Sequence, residues 1–140
     1  MLKYELLEKA YHHHAVAEHL LTVTFPLAKD PKLLLGVLDN LALAAESVMN
    51  AVLAAKTDNF PTDFLSKLIL FRRYASKESA DFIDLLHELN EMHKTCPVEF
   101  RRGNTQVMCT SRYEMRTISL PQIKAYLGKV EELIESNKKQ

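Results

Sequence analysis

The sequence predicts a mainly α-helical fold: an up-and-down bundle of about five helices with a small β-ribbon inserted before the last helix. Residues 31–56 form the most apolar continuous stretch, and their polar members recur at spacings of 3, 4 and 7, which indicates one stripe on a helix. Only three glycines occur in 140 residues, which argues against a turn-rich all-β fold. Between residues 98 and 118 the helical period is lost, and β-branched and aromatic residues accumulate.

Residues 31–56 are expected to form the central helix of the bundle. The polar stripe on this helix consists of Asp39, Asn40, Glu46, Ser47 and Asn50. The rest of its surface is apolar, so several neighbouring helices must cover it. Polar residues interrupt the segment too often for a membrane span, which needs about 20 predominantly apolar residues.

The first helix is predicted at residues 2–24. One face of it consists of residues that repeat at helical spacing, namely Leu6, Leu7, Ala10, His14, Ala17, Leu21 and Thr24. Phe25-Pro26 is expected to end it, because the residue before a proline is disfavoured in the α conformation.

Capping residues mark the starts of the other helices. Asp30 precedes a proline, as is typical of the N-cap of a helix, and Ser76 stands in the same role before the fourth helix. Ser119 and Gln122 have the spacing of a capping box that opens the last helix. The predicted helices cover residues 2–24, 31–56, 62–74, 77–94 and 120–137.

The predicted β-ribbon covers residues 98–118. Gly103-Asn104 lies between two short runs of mixed alternation, which favours a hairpin. The chain contains no repeat, linker or low-complexity tract, so residues 1–140 are expected to form a single domain.

Charge and composition exclude some functions. Eighteen basic residues balance eighteen acidic ones, which removes the simplest argument for a nucleic-acid-binding protein, a strongly basic domain. Two cysteines do not make a disulfide framework, and the chain does not open with the pattern of a signal peptide. We therefore expect a cytoplasmic protein that needs no cofactor and no membrane.

Three residues have the ligand chemistry of a zinc site. His93 and Cys96 are three residues apart, and Cys109 follows across the predicted hairpin. The motif lacks a fourth ligand and the paired C-x-x-C spacing of specific zinc sites. The alternative is that both cysteines are plain thiols, the usual state of cytoplasmic cysteines.

The arginines are unevenly distributed along the chain. All six lie between residues 72 and 116, and four of them fall in the ribbon. Arginine binds phosphate bidentately and stacks on bases, and aromatic residues are interleaved with these four. The alternative is that the charges protect the exposed edges of a small sheet. The candidate RNA-binding or anion-binding residues are Phe100, Arg101, Arg102, Arg112, Tyr113 and Arg116.

The first two long helices carry a resemblance to a known family. The sequences AEHLL at residues 17–21 and DNLALAAES at residues 39–47, followed by AVL at residues 51–53, resemble the corresponding helices of the HEPN superfamily of small helical bundles. The layout also resembles that of a family of archaeal helical proteins that share the junction at residues 97–100 and a ribbon before the last helix. HEPN members are often dimeric; many are metal-independent RNases, and others are inactive binding modules.

The resemblance implies RNase activity only where an arginine and a histidine lie four to six residues apart on a late helix. No arginine in this chain has a histidine at that distance, and none of the histidines follows His93. The sequence therefore favours a non-enzymatic module that binds RNA, a protein partner or a second copy through its ribbon or by dimerisation. The alternative is an enzyme acting on RNA or nucleotides, in which the arginines hold phosphates and His87 or His93 is the general acid-base.

Overall fold

The computed structural model describes residues 2–96, 98–103, 105–110, 112 and 114–138. The order of elements confirms a helical bundle with a small sheet before the last helix. The helices are α1 (Leu2–His19), a π-helical turn (Leu20–Thr24), α2 (Phe25–Ala28), α3 (Leu33–Lys56), α4 (Phe64–Phe71), α5 (Lys77–Thr95) and α6 (Leu120–Lys138). The strands are β1 (Val98–Arg102), β2 (Thr105–Cys109) and β3 (Met115–Ile118).

Helix α3 is the centre of the bundle, as its composition predicts. It packs against α1, α4, α5 and α6, and thirteen of its residues are buried. Its length and apolar composition would also suit a membrane-spanning helix, a test that the core helix of a soluble protein passes as well. Burial of these apolar side chains is the main favourable contribution to folding.

The first helix does not end at Phe25-Pro26, so that prediction is wrong. The chain changes to a π-helical turn before the proline, in which the N–H of Phe25 donates to the carbonyl of Leu20. Proline has no N–H to continue the α-helical ladder, and a π turn is one of the local adjustments that accommodate it. The helix continues to Ala28 and ends at Lys29, whose φ of 52° is left-handed.

Ser76 and Ser119 cap their helices as predicted, whereas Asp30 does not cap α3, whose N-cap is Lys32. The Asp30 carboxylate accepts the backbone N–H of Lys32 at 3.0 Å, but α3 begins only after this turn. Asp63 caps α4, which is shorter than the predicted helix at 62–74, and Ser76 caps α5. At the start of α6, Ser119 and Gln122 exchange the two hydrogen bonds of the capping box at 3.4 Å each.

The three strands form one antiparallel sheet in the order β1-β2-β3. The turn after Arg102 contains Gly103, whose φ of 62° suits glycine, and the strands beside it pair as the hairpin signal predicts. Side chains alternate between two faces of the sheet. We call the face that packs on the helices the inner face; it carries Glu99, Arg101, Gln106, Met108, Arg116 and Ile118. The opposite, outer face carries Val98, Phe100, Arg102, Thr105, Val107, Cys109, Met115 and Thr117.

Candidate binding surface of the ribbon

The outer face of the sheet exposes apolar side chains. Val98, Phe100 and Met115 are 52%, 37% and 48% exposed, and Val107 is buried among its neighbours. Among the described residues, this face contains neither a carboxylate nor a lysine. The outer face is therefore apolar at its centre, with Arg102 and threonines at its margin.

Arg102 and Phe100 form a cation–π pair on this outer face. The Arg102 guanidinium carbon lies 5.8 Å from the centroid of the Phe100 ring. The two residues are separated by one position on β1, so they project on the same side of the strand. The pair presents a positive charge and an aromatic ring side by side at the surface.

The four ribbon arginines do not share one surface. Arg101 and Arg116 lie on the inner face, and Arg116 forms an ion pair with Glu88 of α5 at 3.4 Å. Arg102 lies on the outer face beside the first turn, whereas Arg112 lies in the turn at the other end of β2. Five strand residues span about 16 Å, which separates these two arginines. Tyr113, predicted as a stacking partner, lies outside the described residues.

The three candidate zinc ligands are engaged in other contacts. The Cys96 thiol lies 2.7 Å from the carbonyl oxygen of Cys109, and His93 Nδ1 lies 2.6 Å from Glu99 Oε1. Within the part of the chain that the structure describes, His, Cys, Asp and Glu form no group of three that could hold a metal ion. The contacts place both cysteines near one another as free thiols.

The residues named for acid-base catalysis also have other partners. The His87 ring stacks on Phe64 of α4, with the centroids 3.6 Å apart, and His93 bonds to Glu99. In the described portion of the chain, neither histidine shares a hydrogen bond with any arginine. The convergence of histidine and arginine that the enzymatic alternative needs is therefore missing from the described residues.

Phe100 and Arg102 were predicted from the sequence as binding residues, whereas Val98 and Met115 were not. The alternation in VEFRR at residues 98–102 was the available signal, because it puts Val98, Phe100 and Arg102 on one face. For Met115 there was no such signal, since its position on the outer face follows from the pairing of β3 with β2. Sheet register can be read only from the folded chain.

Comparison of the chain with protein-family models, with curated proteins and with solved structures gave no match. The resemblance to HEPN proteins therefore stays a prediction.

Proposed function

We propose that this protein is a non-catalytic binding module and that the outer face of its ribbon binds a protein partner. The partner would offer an apolar patch with acidic residues at its margin. One observation carries the proposal: Val98, Phe100 and Met115 are exposed together on a face that carries neither carboxylate nor lysine among the described residues.

The composition of the outer face suits a protein partner. Protein interfaces are enriched in aromatic residues, methionine and arginine, and their centres are depleted of lysine and acidic residues. Phe100, Met115 and Arg102 match this pattern. Arg102 would pair with an acidic residue of the partner, which gives the face its preference for negative charge.

RNA suits the same surface less well. Binding of single-stranded RNA needs a positively charged groove along which several bases stack. Among the described residues, the outer face carries one arginine and one exposed aromatic ring, and the other ribbon arginines lie elsewhere. If the resemblance to HEPN proteins holds, this chain would correspond to the inactive binding modules of that superfamily.

The proposal can be tested by selecting peptides from a random display library on the purified full-length protein. The selected peptides should combine apolar residues with Asp or Glu. Phe100→Ser and Met115→Ser should each weaken their binding by at least about tenfold, because such residues are interface hot spots. Ile69→Ser is the matched control, since Ile69 is an exposed apolar residue on α4 and should leave binding unchanged.

Three outcomes would contradict the proposal. Peptides that bind Phe100→Ser as well as the wild type would place the contact elsewhere. A wild-type dimer that Phe100→Ser converts to a monomer in light scattering would assign the face to a second copy. Binding of a single-stranded RNA oligonucleotide that Phe100→Ser abolishes, without selected peptides, would assign it to RNA.

A further inference from the structure

A small open pocket lies between the start of α3 and the edge of the sheet. Its volume is about 270 Å³, and it is lined by Asp30, Lys32, Glu99, Phe100, Arg101 and Gln106. Three of these residues are consecutive on β1, so this edge strand forms one wall. An edge strand leaves part of its backbone N–H groups without partners in the sheet.

Gln106 is the unusual member of the pocket. Its side chain belongs to the inner face, and the residue is only 5% exposed. In the part of the chain that the structure describes, the Gln106 amide makes no hydrogen bond. Its nitrogen and oxygen are nevertheless not completely buried. The little surface that the amide keeps therefore opens to the pocket, where a ligand can satisfy it.

Two cations in the pocket are free to bind a ligand. Neither Lys32 nor Arg101 forms a side-chain ion pair with another described residue. Arg101 is the direct cross-strand neighbour of Gln106, which places their Cβ atoms about 5 Å apart on the same face. Guanidinium and amide can therefore reach one bound group together.

The two carboxylates of the pocket each have a hydrogen-bond partner within the protein, although they keep their negative charge. Asp30 accepts the backbone N–H of Lys32 at 3.0 Å as part of the turn that opens α3. Glu99 lies 2.6 Å from His93 Nδ1. Within the described part of the chain, the pocket groups that have no side-chain partner are the ammonium of Lys32, the guanidinium of Arg101 and the amide of Gln106.

We propose that this pocket binds a small oxyanion, a phosphate or carboxylate group. Arg101 donates two parallel hydrogen bonds to the oxyanion, Lys32 adds a second positive charge, and the Gln106 amide donates from the floor. The pocket uses the inner face and the edge of β1, and the proposal does not depend on a protein partner at the outer face.

The test is a titration of the full-length protein with inorganic phosphate, and separately with acetate, followed by amide NMR signals. One of the two anions should shift, in a saturable manner, the side-chain amide signals of Gln106 and the backbone amide signals of Lys32 and Arg101, and the backbone signals remain available in the Gln106→Leu variant. Arg101→Gln and Gln106→Leu should each raise the dissociation constant by about tenfold or more, the usual loss for a hydrogen bond to a charged group. Arg112→Gln is the control, because Arg112 is exposed in the other turn and should not change binding.

The shape of the preferred anion identifies the ligand class. A preference for phosphate assigns the pocket to tetrahedral oxyanions, and a preference for acetate assigns it to carboxylates. Shifts that do not saturate, or an equal loss in Arg112→Gln, would show general surface attraction and overturn the proposal. If Gln106→Leu does not fold, the exposed Arg101→Gln variant decides the matter alone.

Discussion

The ammonium of Lys67 on α4 lies 3.0 Å from the Glu46 carboxylate of α3, in a side chain that is only 7% exposed. Asn50, one helical turn further along α3, accepts a second hydrogen bond from the same ammonium at 3.0 Å. The short helix α4 is thereby joined to the central helix by a polar contact as well as by packing.

The two partners of this ion pair should respond differently to substitution. Glu46→Gln leaves a buried ammonium without its counter-charge, whereas Lys67→Met leaves a carboxylate that is 33% exposed and can be hydrated. We expect Glu46→Gln to lower the free energy of unfolding by about 2 kcal/mol, below the range for fully buried pairs because Glu46 is partly exposed. Lys67→Met should cost less. Urea unfolding of both variants checks this order, and a larger loss for Lys67→Met would contradict it.

The polar stripe of α3 makes a second contact, between Asp39 and Asn90 of α5, and substitution of Asn90 should not lower the stability of the fold. Asn90 of α5 is buried and donates to Asp39 at 3.1 Å, but its own side-chain oxygen has no partner among the described residues. Asn90→Leu removes the unpaired oxygen, and the partly exposed Asp39 can bond to water instead. We expect Asn90→Leu to leave stability unchanged or to raise it by up to about 1 kcal/mol.

Removing the other partner should have the opposite effect. Asp39→Ala leaves the whole buried amide of Asn90 unpaired and should cost about 1–3 kcal/mol. Thermal unfolding of the two single variants tests the contrast. Equal destabilisation by both would show that the Asn90 oxygen is satisfied in solution.

The cap of α4 predicts a specific dependence of stability on pH. The backbone N–H of Ser66 donates to Asp63 at 3.0 Å and lowers the pKa of that carboxyl from its ordinary value of 3.8. A carboxyl whose folded-state pKa is lowered stabilises the fold above its unfolded pKa, and this contribution is lost as the pH falls through the folded value.

Asp63→Asn isolates this contribution, because an amide can still accept the N–H of Ser66 but does not titrate. At neutral pH the variant should have a lower melting temperature than the wild type. As the pH falls below 3.8, the two melting temperatures should converge, since the wild-type carboxyl becomes neutral as well. A difference that stays constant through this range would mean that the charge of Asp63 does not contribute.

The polar stripe also shows what the sequence can and cannot predict. Helical spacing placed Asp39, Glu46 and Asn50 on one narrow strip, and the central position of α3 followed from the apolar remainder. Their partners on α4 and α5, Lys67 and Asn90, could not be found, because which neighbouring helix meets which part of the strip depends on packing.

The candidate sites of the ribbon were likewise predictable from the sequence only in part. The hairpin was predicted from Gly103-Asn104, and Phe100 with Arg102 from residue type. The pocket at Gln106 was missed, since it requires β1 to lie beside the turn at Asp30, seventy residues earlier in the chain. The helix boundary at Pro26 was misplaced, because the π turn that admits the proline has no local sequence signal.

The position of the ribbon arginines predicts how RNA binding, where it occurs, would depend on salt. Each phosphate contact to single-stranded nucleic acid contributes about −0.7 to the slope of log affinity against log salt concentration. Arg101 and Arg102 are adjacent in sequence beside the first turn, whereas Arg116 is paired with Glu88 and Arg112 lies at the opposite end of the strand. Because Arg101 and Arg102 lie on opposite faces of the sheet, at most these two arginines can contact a strand that passes around this end, and the arginine share of the slope should be no steeper than about −1.4.

Fluorescence titration of a single-stranded RNA oligonucleotide at several salt concentrations measures this slope. Arg101→Ala and Arg102→Ala should each make it shallower by at most about 0.7, and Arg112→Ala should leave it unchanged. A slope near −2.8, reduced equally by substitution of any of the four arginines, would require all of them to contact one RNA strand. Such a result would contradict the separation of Arg112 from Arg102 across the sheet and would favour RNA over a protein as the partner of the ribbon.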